Sequence, residues 1–462
     1  MRNEYPIPGL AILKLNPIFF VKGICSMNKT QITKCCAREI LDSRGNPTVE
    51  ATVVLNDGSI GMASAPSGAS TGIYEAHELR DMDQNRFGGR GVIYAVQNVN
   101  TVIAPALKGI CATEQTEIDR IMMELDGTDH KENLGANSTL AVSLACARAA
   151  ANAQKIPLYR YLGGMNAMRL PIPMMNILNG GAHASNNVEI QEFMIMPVFF
   201  ESYSEALRAG CEITKTLGRL LSANGMSTGV GDEGGFAPML DTDEEAIEWI
   251  IRAIHESGYN TERVKLALDV AASEWYSEED GYVSPKRKER YTREQLIQKW
   301  KSLSEKYPIF SIEDPLDQRD FDGWGELTRE IGERVMLVGD DLFVTNEQRL
   351  REGIKSDAAN AILIKPNQIG TLSETLRVMQ LASKSNYRYI LSHRSGETED
   401  TSIADIAVAL NAPFIKAGAP CRGERIGKYN RLLRIEAAFR NEARYGIDLI
   451  ASRDRIPELI HV

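Results

Sequence analysis

Six short apolar runs in the C-terminal half of the chain each end on a side chain able to do chemistry. LALD closes on Asp269, FSIE on Glu313, LVGD on Asp340, ILIK on Lys365, ILSHRS on His393, Arg394 and Ser395, and FIK on Lys416. The acids Asp269, Glu313 and Asp340 are hard oxygen donors, suited to Mg²⁺ rather than zinc or copper. Mg²⁺ usually takes one or two protein carboxylates, so a third adds negative charge that holds the ion while water or substrate oxygens complete its shell. Asp314 and Asp341, beside two of these acids, read equally well as helix caps, and only one acid of each pair need face a metal. Lys365 ends a very apolar run and would be held near Mg²⁺ and a second cation, Lys416. A depressed pKa and a general-base role are expected for it; the alternative is a lysine paired to a neighbouring carboxylate. Arg394 and Ser395 offer a planar fork and a hydroxyl to an anion, most naturally a phosphate.

Two earlier motifs add acid–base groups. VGDEGG, residues 230–235, sets Asp232 and Glu233 among glycines, where backbone freedom lets a carboxylate reach inward. NGGAHASNNVEIQEF, residues 179–193, supplies His183, Gln191 and Glu192. Either motif alone is weak, because a glycine-flanked acid is usually a turn and a single histidine usually structural.

The elements that carry these residues follow from their spacing. The six chemical ends are separated by 44, 27, 25, 28 and 23 residues, counting the last two gaps to and from His393. Four of the five gaps fit one β-strand plus one returning helix, the repeat of a (β/α) barrel, whose strand ends converge on one mouth. PMMNIL and EFMIMPVFF are apolar runs that supply two earlier strands and bring the total to eight. Upstream, residues 33–55 read as two strands around a turn at Gly45-Asn46-Pro47. SAPSGASTG, residues 64–72, is a small-residue loop, either a plain linker or a lid able to approach a ligand closely. Helical patterns fill roughly 75–162, with alanines in ANSTLAVSLACARAAANAQ permitting close packing, and a domain border is expected near residue 167. Thr371-Leu-Ser-Glu374 has capping-box spacing before an amphipathic run.

Composition sets outer bounds. At 462 residues the chain suits two domains, and 43% apolar with 25% charged residues is the balance of a globular protein. A formal charge of −10 argues against nonspecific binding to nucleic acid or anionic membranes, so a cationic pocket must be built locally. Cys25, Cys35, Cys36, Cys111, Cys146, Cys211 and Cys421 form neither a disulfide framework nor a zinc site, which favours a reducing cytoplasm. Residues 1–26 are too short and too interrupted, by Lys14, Asn16, Pro17 and Lys22, to span a membrane, and no cleavage site follows them. Met27 is a plausible start, which makes that stretch a dispensable extension.

The motifs DSRGNPTVE, PSGASTG, NGGAHASNN, QEFMI, GDEGG, SIEDP, GDDLFVTN, KPNQIGT, SHRSGETED and KYNRLLRIE stand in one order that resembles the enolase (phosphopyruvate hydratase) family, bacterial type, over residues 35–446. The resemblance implies an α/β fold: an irregular (β/α)8-type barrel over 168–446, opening ββαα so that its second strand runs antiparallel, and a smaller N-terminal α+β domain over 33–167. The extension 1–32 and the tail 447–462 fall outside it. It implies a Mg²⁺-dependent lyase interconverting 2-phosphoglycerate and phosphoenolpyruvate, cytoplasmic and at least dimeric, with no nucleic acid and no membrane insertion. By resemblance, Asp269, Glu313 and Asp340 hold the tighter Mg²⁺, and Ser70 in the small-residue loop ligates a second, substrate-dependent one. Lys365 removes the C2 proton and Glu233 protonates the leaving C3 hydroxyl. Arg394 and Ser395 grip the phosphate, Lys416 meets the substrate carboxylate, and His183, Gln191, Glu192 and His393 line the pocket. Glu50 and Arg434 become candidates for an intersubunit ion pair. Cell-surface display occurs in the family, but the tail IPELIHV lacks the terminal lysine of the plasminogen-binding route. Two rivals remain, another lyase of the superfamily and a non-catalytic adhesion or scaffold protein. The HRS phosphate grip and Glu233 disfavour the first; Glu233, Lys365 and Lys416 intact together disfavour the second.

Overall fold

The structure is a computed structural model that describes residues 29–68 and 72–446. The extension 1–26, Ser70 and the tail 447–462 therefore lie outside the described residues. Strands β1 (Ile32–Leu41), β2 (Pro47–Leu55) and β3 (Ile60–Ser64) form an antiparallel meander, with Ala37 opposite Ala51 and Ala51 opposite Ala63. The turn expected at 45–47 joins the first two, and Gly45 takes φ +74°, which a residue without Cβ adopts freely. Alternate β2 residues, Val49, Ala51, Val53 and Leu55, are buried. Helix α1 (Gln115–Asp126) and the alanine-rich α2 (Ala136–Ala153) follow, α2 lying across β2 and β3. A Cβ on Gly61 would overlap the Ala145 carbonyl oxygen and the Ala149 backbone nitrogen, so this sheet and helix touch through their backbones.

The helical expectation for 75–92 is corrected. That stretch is irregular apart from a short 3₁₀ turn, and helix begins at Ile93. Met82 and Phe87 take positive φ, and the Asp81 carboxylate turns to accept the N–H groups of Ile93 and Tyr94. Asp81 therefore caps the next helix instead of extending one through itself.

Eight strands then close a barrel. In chain order they are β4 (Ile172–Asn179), β5 (Glu192–Pro197), β6 (Val264–Asp269), β7 (Ile309–Glu313), β8 (Met336–Gly339), β9 (Ala361–Ile364), β10 (Arg388–Ser392) and β11 (Phe414–Lys416). β5 runs antiparallel to both β4 and β6 while the other pairs are parallel. Helices α3 (Tyr203–Ala223) and α4 (Asp243–Glu256) come together before β6, so the opening is ββαα. Residues such as Met174, Met194, Phe310, Leu363 and Phe414 fill the interior, making it a packed core rather than a pore. The long first gap holds a small sheet of Tyr276–Ser277, Gly281–Val283 and Arg290–Tyr291 ahead of α5 (Arg293–Lys306). The remaining helices are α6 (Phe321–Ile331), α7 (Glu347–Lys355), α8 (Leu372–Lys384), α9 (Ser402–Ala409) and α10 (Gly423–Phe439).

The N-terminal layer caps α8, the helix that follows the Lys365 loop. The Asp119 carboxylate accepts the Ser373 N–H at 2.9 Å and Ser143 Oγ the Leu372 N–H at 3.0 Å. Thr371 Oγ1 accepts the Glu374 N–H at 3.3 Å, but the Glu374 carboxylate turns to Lys131 Nζ at 2.7 Å. The capping box expected at Thr371 is thus half formed; a complete one sits at Thr292 and Gln295 of α5. Among the described residues the six cysteines are free thiols, and no helix is long and apolar enough to cross a membrane.

Candidate active site

The C-terminal ends of the barrel strands surround a small, polar-lined cavity. Its walls carry His183, Gln191, Glu192, Glu233, Asp269, Asp340, Lys365, His393, Arg394, Ser395 and Lys416, together with Asp314 and Asp341. Glu313 ends β7 fully buried just beneath, in contact with Lys416. Asp269, Glu313 and Lys416 are the last residues of their strands; Asp340, Lys365 and His393 each stand one residue past the end of theirs. One rim thus receives charged groups from chain segments far apart in sequence.

Buried lysines neutralise the carboxylates. Lys416 Nζ lies 2.9 Å from Asp269 Oδ2, 2.9 Å from Glu313 and 3.3 Å from Glu192 Oε2. Burial disfavours its charge, but these three acids hold its pKa well above the ordinary lysine value. Lys365 Nζ is paired to Asp340, whose other oxygen accepts from Gln368 Nε2 at 2.9 Å. The depressed Lys365 pKa expected from the sequence was for a lysine beside Mg²⁺; the protein groups alone set the opposite direction. Burial does pull it down, with Arg394 and Lys416 adding to that, yet Asp340 in direct contact and Glu313 behind hold it above the usual value. Burial and the neighbouring Asp269 raise the Glu313 carboxyl strongly, while burial and Asp340 push Asp341 up to about 8. Asp314 is not a helix cap: its carboxylate accepts the N–H groups of Asp340 and Asp341 at 3.0 and 2.8 Å in the turn after β8, and Asp320 caps the helix that follows it.

The opposite wall is built on β4, β5 and the glycine-rich loop. Glu233 points inward and is buried, whereas Asp232 is half exposed and pairs with Arg44 at 3.2 Å. A Cβ on Gly235 would overlap Asn179 Oδ1, and Gly234 takes φ +90°, so the loop packs tightly only with glycines there. Asn176 Nδ2 donates to Glu233 Oε2 at 3.2 Å, and His393 Nε2 lies 3.3 Å from the same oxygen. His183 Nδ1 stands 3.5 Å from Glu192 Oε1 and 3.9 Å from Glu233 Oε1. Burial works against the Glu233 charge, but His393, His183 and Arg425 outweigh it and keep the carboxyl below its usual range. Burial and Glu233 together push Glu192 up to about 7.

Arg394 is gripped through both terminal nitrogens by Glu75, at 2.9 and 3.2 Å. Glu75 comes from the irregular 75–92 stretch, and sequence reasoning missed it, as it missed Asn176, Gln368 and Arg425. The only sequence cue for Glu75 was its place just after the small-residue loop. That loop is pinned where described: Ser67 and Gly396 exchange backbone hydrogen bonds of 2.7 and 2.9 Å, and Ser67 Oγ donates to Asp42 at 2.6 Å.

Asp269, Glu313 and Asp340 fit a hard divalent cation by donor type. Crowding three buried acids costs energy, which two lysines offset here. Buried polar atoms without a hydrogen-bond partner concentrate at the same place: Gln191 Oε1, Glu192 Oε2, His183 Nδ1 and His393 Nε2. Buried polar groups are normally satisfied, so this set marks a binding site for a polar, charged ligand.

Comparison with known proteins agrees with this arrangement. The family model described as the enolase N-terminal domain matches residues 32–162, and that of the enolase C-terminal TIM barrel domain matches residues 167–452. The enolase of Campylobacter lari is 57% identical over 400 residues, which cover 87% of this chain and 95% of that protein. With its irregular barrel, its rim of buried acids and lysines and near-complete coverage by both family domains, the chain belongs to the enolase family and is a lyase.

Proposed function

We propose that the chain catalyses the reversible dehydration of 2-phospho-D-glycerate to phosphoenolpyruvate in the cytoplasm, with Lys365 as base and Glu233 as acid. The observation that supports it best is their opposition across one cavity. Lys365 follows β9, while Glu233 is tied to Asn176 on β4, three places round an eight-stranded barrel. Removing a proton from a carbon beside a carboxylate builds two negative charges on one group, and the hydroxide lost from C3 is a poor leaving group. A base on one wall and an acid on the other meet the two demands separately.

Asp269, Glu313 and Asp340 would hold Mg²⁺, with Ser70 contributing to a second, substrate-dependent ion. Bound there, Mg²⁺ supplies the positive charge that makes the substrate carboxylate a better electron sink. Lys416 adds a cation on the same side. Arg394, held in one orientation by Glu75, presents its guanidinium to the phosphate beside the Ser395 hydroxyl. Lys365 must shed its proton before it can act, which requires its contact with Asp340 to weaken. Glu233, held ionised in this structure, must gain one, and an anionic substrate beside it raises its pKa in the required direction.

The test reads the two half-reactions apart. Glu233→Gln should still exchange the C2 proton of 2-phosphoglycerate with solvent deuterium while forming almost no product, and Lys365→Ala should lose both. Loss of one acid or base costs roughly 10²–10⁴-fold. The reverse pattern, exchange kept without Lys365 and lost without Glu233, would exchange the two roles.

A further inference from the structure

Arg425 lies outside the cavity lining, near the start of α10, yet its side chain is completely buried. Its guanidinium joins two loops of the site. Nη1 donates to the Arg394 carbonyl and meets His393 Nδ1 at 2.7 Å. Nη2 donates to the Ser395 carbonyl at 2.6 Å and to that of Asp232 at 3.3 Å. The loop after β10 and the loop that carries Glu233 are thus held by one rigid fork. Gly418 shows how closely they meet: a Cβ there would fall 2.9 Å from the Glu233 carbonyl, 3.0 Å from Arg425 Cδ and 3.0 Å from His393 Cε1.

A guanidinium has donors and no acceptor. His393 Nδ1 can therefore meet Arg425 only as an unprotonated acceptor, and the single ring proton must sit on Nε2. A second proton, on Nδ1, would set two N–H groups and two cations against each other. The charged groups facing the ring are Arg425 at Nδ1 and Glu233 at Nε2, with Glu397 behind, itself neutralised by Lys428 at 2.7 Å. Nε2 stands 3.3 Å from Glu233 Oε2, close but without a hydrogen bond, and that oxygen receives Asn176 Nδ2 at 3.2 Å. An oxygen that already accepts Asn176 Nδ2 and faces the Nε2 proton at 3.3 Å is the less favourable of the two to carry a proton. The proton of a neutral Glu233 is then confined to Oε1.

We propose that Arg425 is a positioning residue which locks His393 as the neutral Nε2–H tautomer and so confines the transferable proton of Glu233 to Oε1. From Oε1 that proton passes to the C3 hydroxyl oxygen as the C3–O bond breaks, its electron pair leaving with water. The catalytic consequence rests on Glu233 being the acid; the tautomer does not.

The experiment uses the full-length protein labelled with ¹⁵N-histidine, in which six histidines contribute signals. His393 is assigned by loss of its signals in His393→Asn. Long-range ¹H–¹⁵N correlations of the wild type should show Nε2 protonated and Nδ1 bare from about pH 5.5 to 8, a range in which an ordinary histidine titrates. Arg425→Gln, whose amide can also accept a hydrogen bond, should release the ring to the other tautomer or to protonation. That variant should lower product formation on the order of 10²-fold while C2 exchange persists. Arg425→Lys, again a donor without an acceptor, should restore the wild-type tautomer. A wild-type ring protonated on Nδ1, or titrating near neutrality, overturns the proposal whatever the variants do. So does a folded Arg425→Gln protein with the His393 signals and product rate unchanged. If Arg425→Gln fails to fold, the wild-type spectrum and Arg425→Lys decide. Full product formation by Glu233→Gln would remove the acid assignment and leave the tautomer result standing, so the two failures are distinguishable.

Discussion

Replacing Asp340 by Asn changes little in size and removes one buried charge. In the wild type that carboxylate pairs with Lys365, accepts from Gln368 at 2.9 Å and is pulled below its usual pKa despite burial, chiefly by Lys365. Asn can still accept from Gln368, but Lys365 is left buried beside Arg394 and Lys416 without a carboxylate in contact. Breaking one side of a buried pair costs about 3–5 kcal/mol. The lysine's escape is to lose its proton. At pH 7 that costs about 1.36 kcal/mol for each of the roughly 3.4 units below a reference of about 10.4, or about 4.6 kcal/mol. The two routes agree, so the metal-free variant should lose about 3–5 kcal/mol of a total that is typically about 5–15 kcal/mol. The pH dependence has a definite sign. Lys365 has a raised folded pKa, so its contribution is complete below the unfolded value of about 10.4 and is lost as pH rises through the folded one. Asp340 has a depressed folded pKa, so its share is present above about 3.9 and is lost as pH falls through the folded value. In the variant the cost of losing the lysine's proton falls to about 1.2 kcal/mol at about pH 9.5, roughly 0.9 units below 10.4, so the deficit shrinks as pH rises. Toward acid it shrinks as the wild-type Asp340 is protonated. Urea unfolding in a chelator, followed by the fluorescence of the buried Trp275, Trp300 and Trp324, measures it at pH 7 and about pH 9.5. Adding Mg²⁺ at a hundredfold excess over its Kd should stabilise the wild type by about 2.7 kcal/mol, with the variant needing more metal for the same gain. Equal metal-free midpoints at pH 7, or a deficit that grows with pH, would refute the charge argument. An unchanged Mg²⁺ titration would move the ligand to Asp341.

Gly61→Ala places a methyl group against the backbone of α2 at Ala145 and Ala149. Separating β3 from that helix should cost at least about 1–3 kcal/mol, and an unchanged melting temperature would mean that the close approach is not real. We also propose that the chain is a homo-oligomer with Arg434 of one protomer meeting Glu50 of its partner. Glu50 already has Arg38 at 3.3 Å within its own chain, so Arg434→Ala should weaken assembly by no more than about 1 kcal/mol, and sedimentation at low concentration with no change at all would remove the pair.

What could be read from the sequence, and what could not, divides along one physical line. An apolar run that ends on a charge marks where a buried strand reaches the rim, so Asp269, Glu313, Asp340, Lys365 and Lys416 were visible one at a time, and the barrel followed from their spacing. The antiparallel second strand left a cue that went unread: only the stretch GGAHASNNVEIQ, without helical periodicity, separates β4 from β5. A parallel return usually needs a helix there. Pairings across the cavity left no cue at all. The sequence shows that lysines and carboxylates arrive at one rim but not which of them touch, and the sign of the Lys365 shift depends on that contact. Glu75 and Arg425 were invisible for the same reason, since neither ends an apolar run and each gains its meaning from a residue brought beside it only by folding. Glu75 sits 319 positions from the guanidinium it holds, in a different layer of the molecule. The orientation of Arg394 is therefore a property of how the N-terminal layer docks on the barrel mouth. A weakened dock at Asp119 or Lys131 should reach the anion grip without touching any residue that lines it.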